Sequence, residues 1–203
     1  MAYISFQPSD FFSTLLWTGN SPSTQALTGA GFQPDFVWVK KRSSAAAHCL
    51  TDSVRGVTKT LFSNDTIAEA TRTGGLTVFG SDGYTVGADG DFNGGSATFV
   101  GWNWKAGGAG SANTDGDIDS TVSVNTTAGF SIVKYTGTGS AQTVGHGLGV
   151  APNMIILKES TSTSQWQVTN DYLGWTKRLN LDDNSTADTT STIWNDTAPT
   201  SSV

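Results

Sequence analysis

Apolar residues fall in short runs along this chain, and the clearest run alternates. In Thr98–Trp104, TFVGWNW, one face carries Val100, Trp102 and Trp104 and the other Phe99, Gly101 and Asn103, the period of a β-strand. Phe130–Tyr135 alternates in the same way, and Phe36–Val39 is an apolar run bounded by Pro34 and Lys40. Ser-Asp-Gly at 81–83 and Ala-Asp-Gly at 88–90 are turn signals on either side of Tyr84–Gly87. Thr66–Arg72 is the one stretch whose pattern suits a helical turn. The pattern predicts an all-β protein. It places Trp38, Trp102 and Trp104 in the core, and leaves Trp166, Trp175 and Trp194, which have polar surroundings, partly exposed.

The patterns recur. GFQPDFVWVKK at 31–41 and GVAPNMIILKE at 149–159 share a Gly, a Pro, four apolar residues and a Lys, and their prolines, Pro34 and Pro152, stand 118 positions apart (152 − 34). The same offset relates Phe12 to Phe130, Trp17 to Tyr135, and Gly56, Thr58, Lys59 and Leu61 to Gly174, Thr176, Lys177 and Leu179, with no gap. Two copies of one β-sandwich or jelly-roll unit explain this best. The implied organisation is an N-terminal extended arm at 1–10, a first unit at 11–105, a Gly/Ala/Asp-rich flexible linker at 106–128, and a second unit at 129–203. Each proline opens a buried strand, where its missing N–H does least harm. The second unit has no counterpart of 86–105 and so lacks its closing strand, ATFVGWNWK. Either the natural chain continues past Val203 or a partner supplies the strand; the exposed edge that would otherwise result favours continuation.

Composition narrows the picture. Of 203 residues, 36% are apolar and seven are Trp, which excludes a disordered chain. A net charge of −6 argues against nucleic acid as a partner. No apolar run of membrane-spanning length occurs, so no membrane insertion is expected. Cys49 is alone, so a disulfide or a Cys-rich metal site cannot form within the chain.

Candidate chemistry is sparse. His48 and Cys49 are neighbours, and neighbours on a strand point to opposite faces, so they make a poor nucleophile pair. Carboxylates are plentiful but no pair is distinguished, so catalytic residues are not expected and the protein reads as a non-enzyme. DGDFNG at 89–94 matches the first half of a calcium loop, with Asp89, Asp91 and Asn93 as metal ligands for Ca²⁺, although Val100 stands where the Glu of an EF-hand would be. The competing reading is a polar turn between strands. The N-terminal arm carries Tyr3, Ile4, Phe6 and Pro8, followed by Phe11 and Phe12, an apolar set suited to docking on a partner.

The stretches ISFQPSDFF, GFQPDFVWVK, TDSVRGVTK, SDGYTVG, WNWKAGG, TGTGSA, GHGLGVAP and WNDTAPTSSV span nearly the whole chain and resemble a family of tailed-bacteriophage virion proteins, common in marine phages and described as tail fibre or tail proteins. The resemblance implies a location in the virion and a structural role: a tail fibre or adhesin-like protein, homo-oligomeric with a trimer as the first expectation, held to other virion proteins by its N-terminus and presenting β domains to host-surface glycan. A head fibre or decoration protein of the capsid is the alternative. A tail-associated glycan-degrading enzyme is the second alternative; it would need two carboxylates fixed across a groove.

Overall fold

The strand Thr98–Trp104 has a large side chain on both faces, so it needs cover on both. The structure, a computed structural model, describes residues 7–203. In the first half a 3₁₀ turn at Pro8–Asp10 leads into β1 (Phe12–Thr18), β2 (Gln25–Thr28), β3 (Phe36–Lys41), β4 (His48–Asp52), β5 (Lys59–Phe62), β6 (Ala70–Thr71), β7 (Leu76–Gly80), β8 (Gly83–Val86), a helical turn α1 (Gly90–Asn93) and β9 (Thr98–Trp104). Two antiparallel sheets result. One has six strands in the order β1-β9-β3-β4-β5-β6; the other has three in the order β2-β8-β7. They face each other across a core of Trp17, Val37, Val39, Cys49, Phe62 and Phe99 from the larger sheet and Leu27, Leu76, Tyr84 and Val86 from the smaller. This is a β-sandwich. Thr66–Arg72 makes no helical turn: it holds β6 at Ala70–Thr71, and α1 lies elsewhere.

The inward face of β9 is the one with Phe99, Gly101 and Asn103, each fully or almost fully buried. Gly101 is required there. A Cβ at this position would overlap the Tyr84 hydroxyl and stand 3.2 Å from the Trp17 ring. Trp38, Trp102 and Trp104 therefore lie outside the sandwich core, half-buried on the outer face of the six-stranded sheet. The alternation was legible, but its inner side is the one with the small residue.

Residues 106–128 are more than a linker. They hold β10 (Ser111–Asn113) and β11 (Ser120–Asn125), which join β12 (Phe130–Tyr135) in a three-stranded meander. The Gly- and Asp-rich composition belongs to the turns between them, while Val122 and Ser123 are buried. A four-stranded sheet follows, β13 (Met154–Leu157), β14 (Gln167–Asn170), β15 (Lys177–Asn180) and β16 (Asp188–Thr189), then a helical turn α2 (Ser191–Trp194).

The pairing in this sheet is that of β3-β4-β5-β6 shifted by 118 positions. Phe36 faces Asp52 and Met154 faces Asn170; Leu50 faces Leu61 and Val168 faces Leu179; Lys59 faces Thr71 and Lys177 faces Thr189. The turns match too. Arg55 N–H donates to Asp52 Oδ1 at 2.8 Å, and Leu173 N–H to Asn170 Oδ1 at 2.8 Å. Gly56 and Gly174 follow with φ of 95° and 87°, a region that a side chain disfavours. Burial differs, however. Val37 and Val39 are buried, whereas no residue of β13 is; Met154 is 53% and Ile156 45% exposed, so Pro152 opens a strand with one open face.

Candidate functional site

Strand register arranges the outer face of the six-stranded sheet in rows. Phe12, Trp104 and Phe36 are opposed in one row; Thr14, Trp102, Trp38, Leu50 and Leu61 in the next; Leu16, Val100, Lys40 and His48 in a third. The first row is a chain of rings. Phe12 lies 4.9 Å from Trp104, which lies 5.3 Å from Phe36, and Phe130 of β12 completes it at 6.2 Å from Trp104 with an interplanar angle of 22°. In the second row Trp38 and Trp102 meet edge to face at 6.1 Å. Such aromatic contacts add about 0.5–1.5 kcal/mol each beyond area burial.

The second half of the chain sits on part of this face. Trp166 is 4% exposed, not the half-exposed residue that its polar neighbours suggest. It packs with Leu50 and Leu61, against Phe36, Trp38 and Leu181, and its indole N–H donates to the Phe62 carbonyl at 2.8 Å. Two backbone bonds add to the join: Ser164 N–H to Thr66 O and Glu69 N–H to Ser160 O. Beyond this contact the strip stays accessible, with Leu16 64% exposed and Trp38 and Trp102 half-buried.

His48 closes the strip at one end. The Trp38 indole N–H donates to His48 Nδ1 at 3.2 Å, which places the histidine proton on Nε2. Burial, and then the Lys40 charge, lower the His48 pKa. The ring is neutral at pH 7, and Lys40 donates to the Ala46 carbonyl. Cys49 points the other way, into the core, and burial pushes its thiol up to about 12. No thiolate–imidazole pair forms, as strand geometry requires.

The calcium-loop residues are engaged differently from that expectation. Asp89 caps α1 by accepting the Asp91 N–H. Both carboxylates hold one guanidinium: Arg72 Nε and Nη2 donate to Asp89 at 2.6 and 2.7 Å, and Nη2 to Asp91 at 2.9 Å. Asn93 is fully buried, donating to Asn20 Oδ1 and the carbonyls of Ser23 and Gly87 while accepting from Asn20 N–H. The charge a cation would supply comes from Arg72, which the sequence did not single out because it lies 17 and 19 positions away. Among the described residues no group of three or more His, Cys, Asp or Glu is placed to hold a metal ion. A second arginine is held likewise, Arg55 between Asp52 and Glu69.

Of the arm residues, Tyr3, Ile4 and Phe6 lie outside the described residues. Pro8 is exposed in the 3₁₀ turn, and Phe11 is half-buried with its carbonyl accepting from Lys105 N–H. Phe12 lies in the chain's own ring row against Trp104 and is still 39% exposed.

Fold and site together define an all-β protein of antiparallel sheets with an aromatic outer face. The chain belongs to a family described as a domain of unknown function (DUF7483), whose model matches residues 7–203. No curated protein and no solved structure matches it.

Proposed function

We propose that this chain is a structural protein of a bacteriophage particle, a tail-fibre or adhesin-like component built from two copies of one β unit that binds host-surface glycan along its aromatic outer face. The observation that carries the adhesive reading is the apolar strip of Leu16, exposed, with Trp102 and Trp38, half-buried, on three adjacent strands beside the polar ends of Lys40 and His48. Aromatic faces with polar groups at their edges suit sugar rings, which carry C–H groups on one face and hydroxyls around the rim. The matched registers 118 positions apart support the two-copy reading. Homo-oligomeric assembly and attachment through residues 1–12 remain part of the proposal, as does the capsid-surface alternative.

The carboxylates that the fold brings together favour a binding role over the glycan-degrading alternative. Asp89 with Asp91, and Asp52 with Glu69, each share an arginine, so neither pair flanks an open groove as a glycosidase acid and nucleophile would.

Three measurements test the reading. Antibody labelling of purified particles should place the protein on their outer surface; its absence from particles would end the virion proposal. A glycan array should show binding that Trp102→Ala weakens about tenfold or more, the cost of a lost stacking surface. Release of sugar from host envelope polysaccharide would instead favour the enzyme.

A further inference from the structure

The polar rim of the aromatic strip carries one sign of charge. Register sets Lys40 directly opposite His48 and one row beyond Trp38 and Trp102, and residues so opposed have Cβ atoms about 5 Å apart. Arg42 is exposed in the row after that, its backbone N–H donating to Thr98 O at 2.7 Å. Among the described residues neither Lys40 nor Arg42 forms an ion pair; the cations that do are Arg55, Lys59, Arg72 and Arg178. Asp52 shares the outer face, but it stands two rows away opposite Phe36 and is held by Arg55. The whole chain has a net charge of −6, so a cationic edge here is a local arrangement and does not follow from composition. Its donors are also unspent. Lys40 gives one N–H to the Ala46 carbonyl at 2.7 Å and has two more. His48 accepts the Trp38 N–H at Nδ1, and the N–H at Nε2 has no partner among the described residues. The charge acting on His48 is that of Lys40.

We propose that this rim selects an acidic sugar, a saccharide whose ring stacks on Trp102 and Trp38 and whose carboxylate lies against Lys40 and His48. The inference rests on the glycan reading above and names the class of glycan. The ammonium of Lys40, the guanidinium of Arg42 and the Nε2–H of His48 are all donors. A sugar hydroxyl placed there uses only its acceptor side and leaves its own hydrogen without a partner. A carboxylate accepts at both oxygens and brings the opposite charge, and such charge-assisted bonds are about twice as strong as neutral ones. The stacking surface and the donor are also held together. The indole of Trp38 and the ring of His48 are hydrogen-bonded at 3.2 Å and meet edge to face with centroids 6.0 Å apart, so the imidazole keeps its place beside the ring it serves.

The experiment places the full chain on an array of neutral, carboxylated and sulfated glycans, then titrates the strongest carboxylated binder beside its carboxyl-reduced, neutral form. We expect carboxylated glycans to dominate the array and carboxyl reduction to weaken binding about tenfold or more, the loss of a charge-assisted contact. Lys40→Gln should impose the same loss on the acidic glycan and leave the reduced form unchanged, and Lys40→Arg should restore binding. Trp102→Ala should weaken both forms. An unchanged melting temperature in Lys40→Gln shows that the sheet is intact. Dominance of neutral or sulfated glycans, or a folded Lys40→Gln variant that binds the acidic glycan as well as the wild type does, overturns the proposal and leaves the glycan reading standing. An array with no binder at all ends the glycan reading, and this inference with it.

Discussion

The Trp166 indole N–H donates to the Phe62 carbonyl across 104 positions of sequence. One side chain thereby joins the two halves: its ring fills the apolar contact with Leu50 and Leu61, and its only polar atom, buried with it, is hydrogen-bonded. Trp166→Ala removes both and should cost about 3–5 kcal/mol. Trp166→Phe keeps most of the burial and loses the bond, for about 1–2 kcal/mol. Denaturant melts of both variants check this; an unchanged stability in Trp166→Phe would mean that the hydrogen bond contributes nothing.

Gly101 and Tyr84 make a second test. Gly101→Ala places a methyl group against the Tyr84 hydroxyl and should destabilise by about 1–3 kcal/mol. Tyr84→Phe removes the oxygen and leaves the ring's Cζ 3.3 Å from the new Cβ, so the double variant should recover part of the loss. Among the described residues the hydroxyl has no hydrogen-bond partner, and burial raises its pKa, so Tyr84→Phe alone should be close to neutral or stabilising. Additive losses in the double variant would show that the two groups do not meet.

Arg72 should matter through its carboxylates. Burial opposes charge on Asp89, yet the Arg72 hydrogen bond, the Asp91 N–H and the Arg72 charge together hold its pKa below the ordinary 3.8. A depressed carboxyl contributes stability that is complete above its unfolded pKa and is lost as pH falls through the folded value. Thermal melts should therefore hold from pH 7 to about 4 and drop below that. Arg72→Ala, which leaves Asp89 without its partner, should lower stability at pH 7 by about 2–4 kcal/mol and shrink the further acid loss. A chelator that lowers the wild-type melting temperature would restore the calcium reading of Asp89 and Asp91.

Cys49 should be inert in the folded protein. Its side chain is fully buried and its thiol is pushed up to about 12, so a thiol reagent at pH 7–8 should modify it only on unfolding, and at the unfolding rate. Rapid modification of native protein would contradict the packing of β4.

How much of this was legible in the sequence depends on distance along the chain. The turn at 81–83, the strand at Phe36 and the alternation of TFVGWNW are local, and local chemistry dictates them. The offset of 118 between Pro34 and Pro152 pointed to the strand Met154–Leu157, because matched spacing of glycines and apolar runs does not need long-range contacts to be visible. Which face of β9 turns inward was not legible, since both faces carry apolar groups; the choice depends on Tyr84 occupying the space above Gly101. Trp166 was misjudged for the same reason: Gln165 and Gln167 suggest water, and the carbonyl that receives its N–H lies in the other half. Arg72 gave no signal at all, for an ion pair 17 positions apart leaves no periodic trace. At 106–128, average composition hid the short alternation of Ser120–Asn125.

The order β1-β9-β3 has a bearing on biosynthesis. The ribosome makes β9 last of these three, some eighty residues after β1, yet β9 is the strand to which both others bond. β1 and β3 cannot zip together as they emerge, because neither is the other's neighbour. The sheet must wait, with its two early strands held apart, until Trp104 has cleared the exit tunnel, and it then closes around the newest strand. Folding of this half is thus a late, long-range event, slow for its size, and the nascent chain presents open strands to solvent until it occurs.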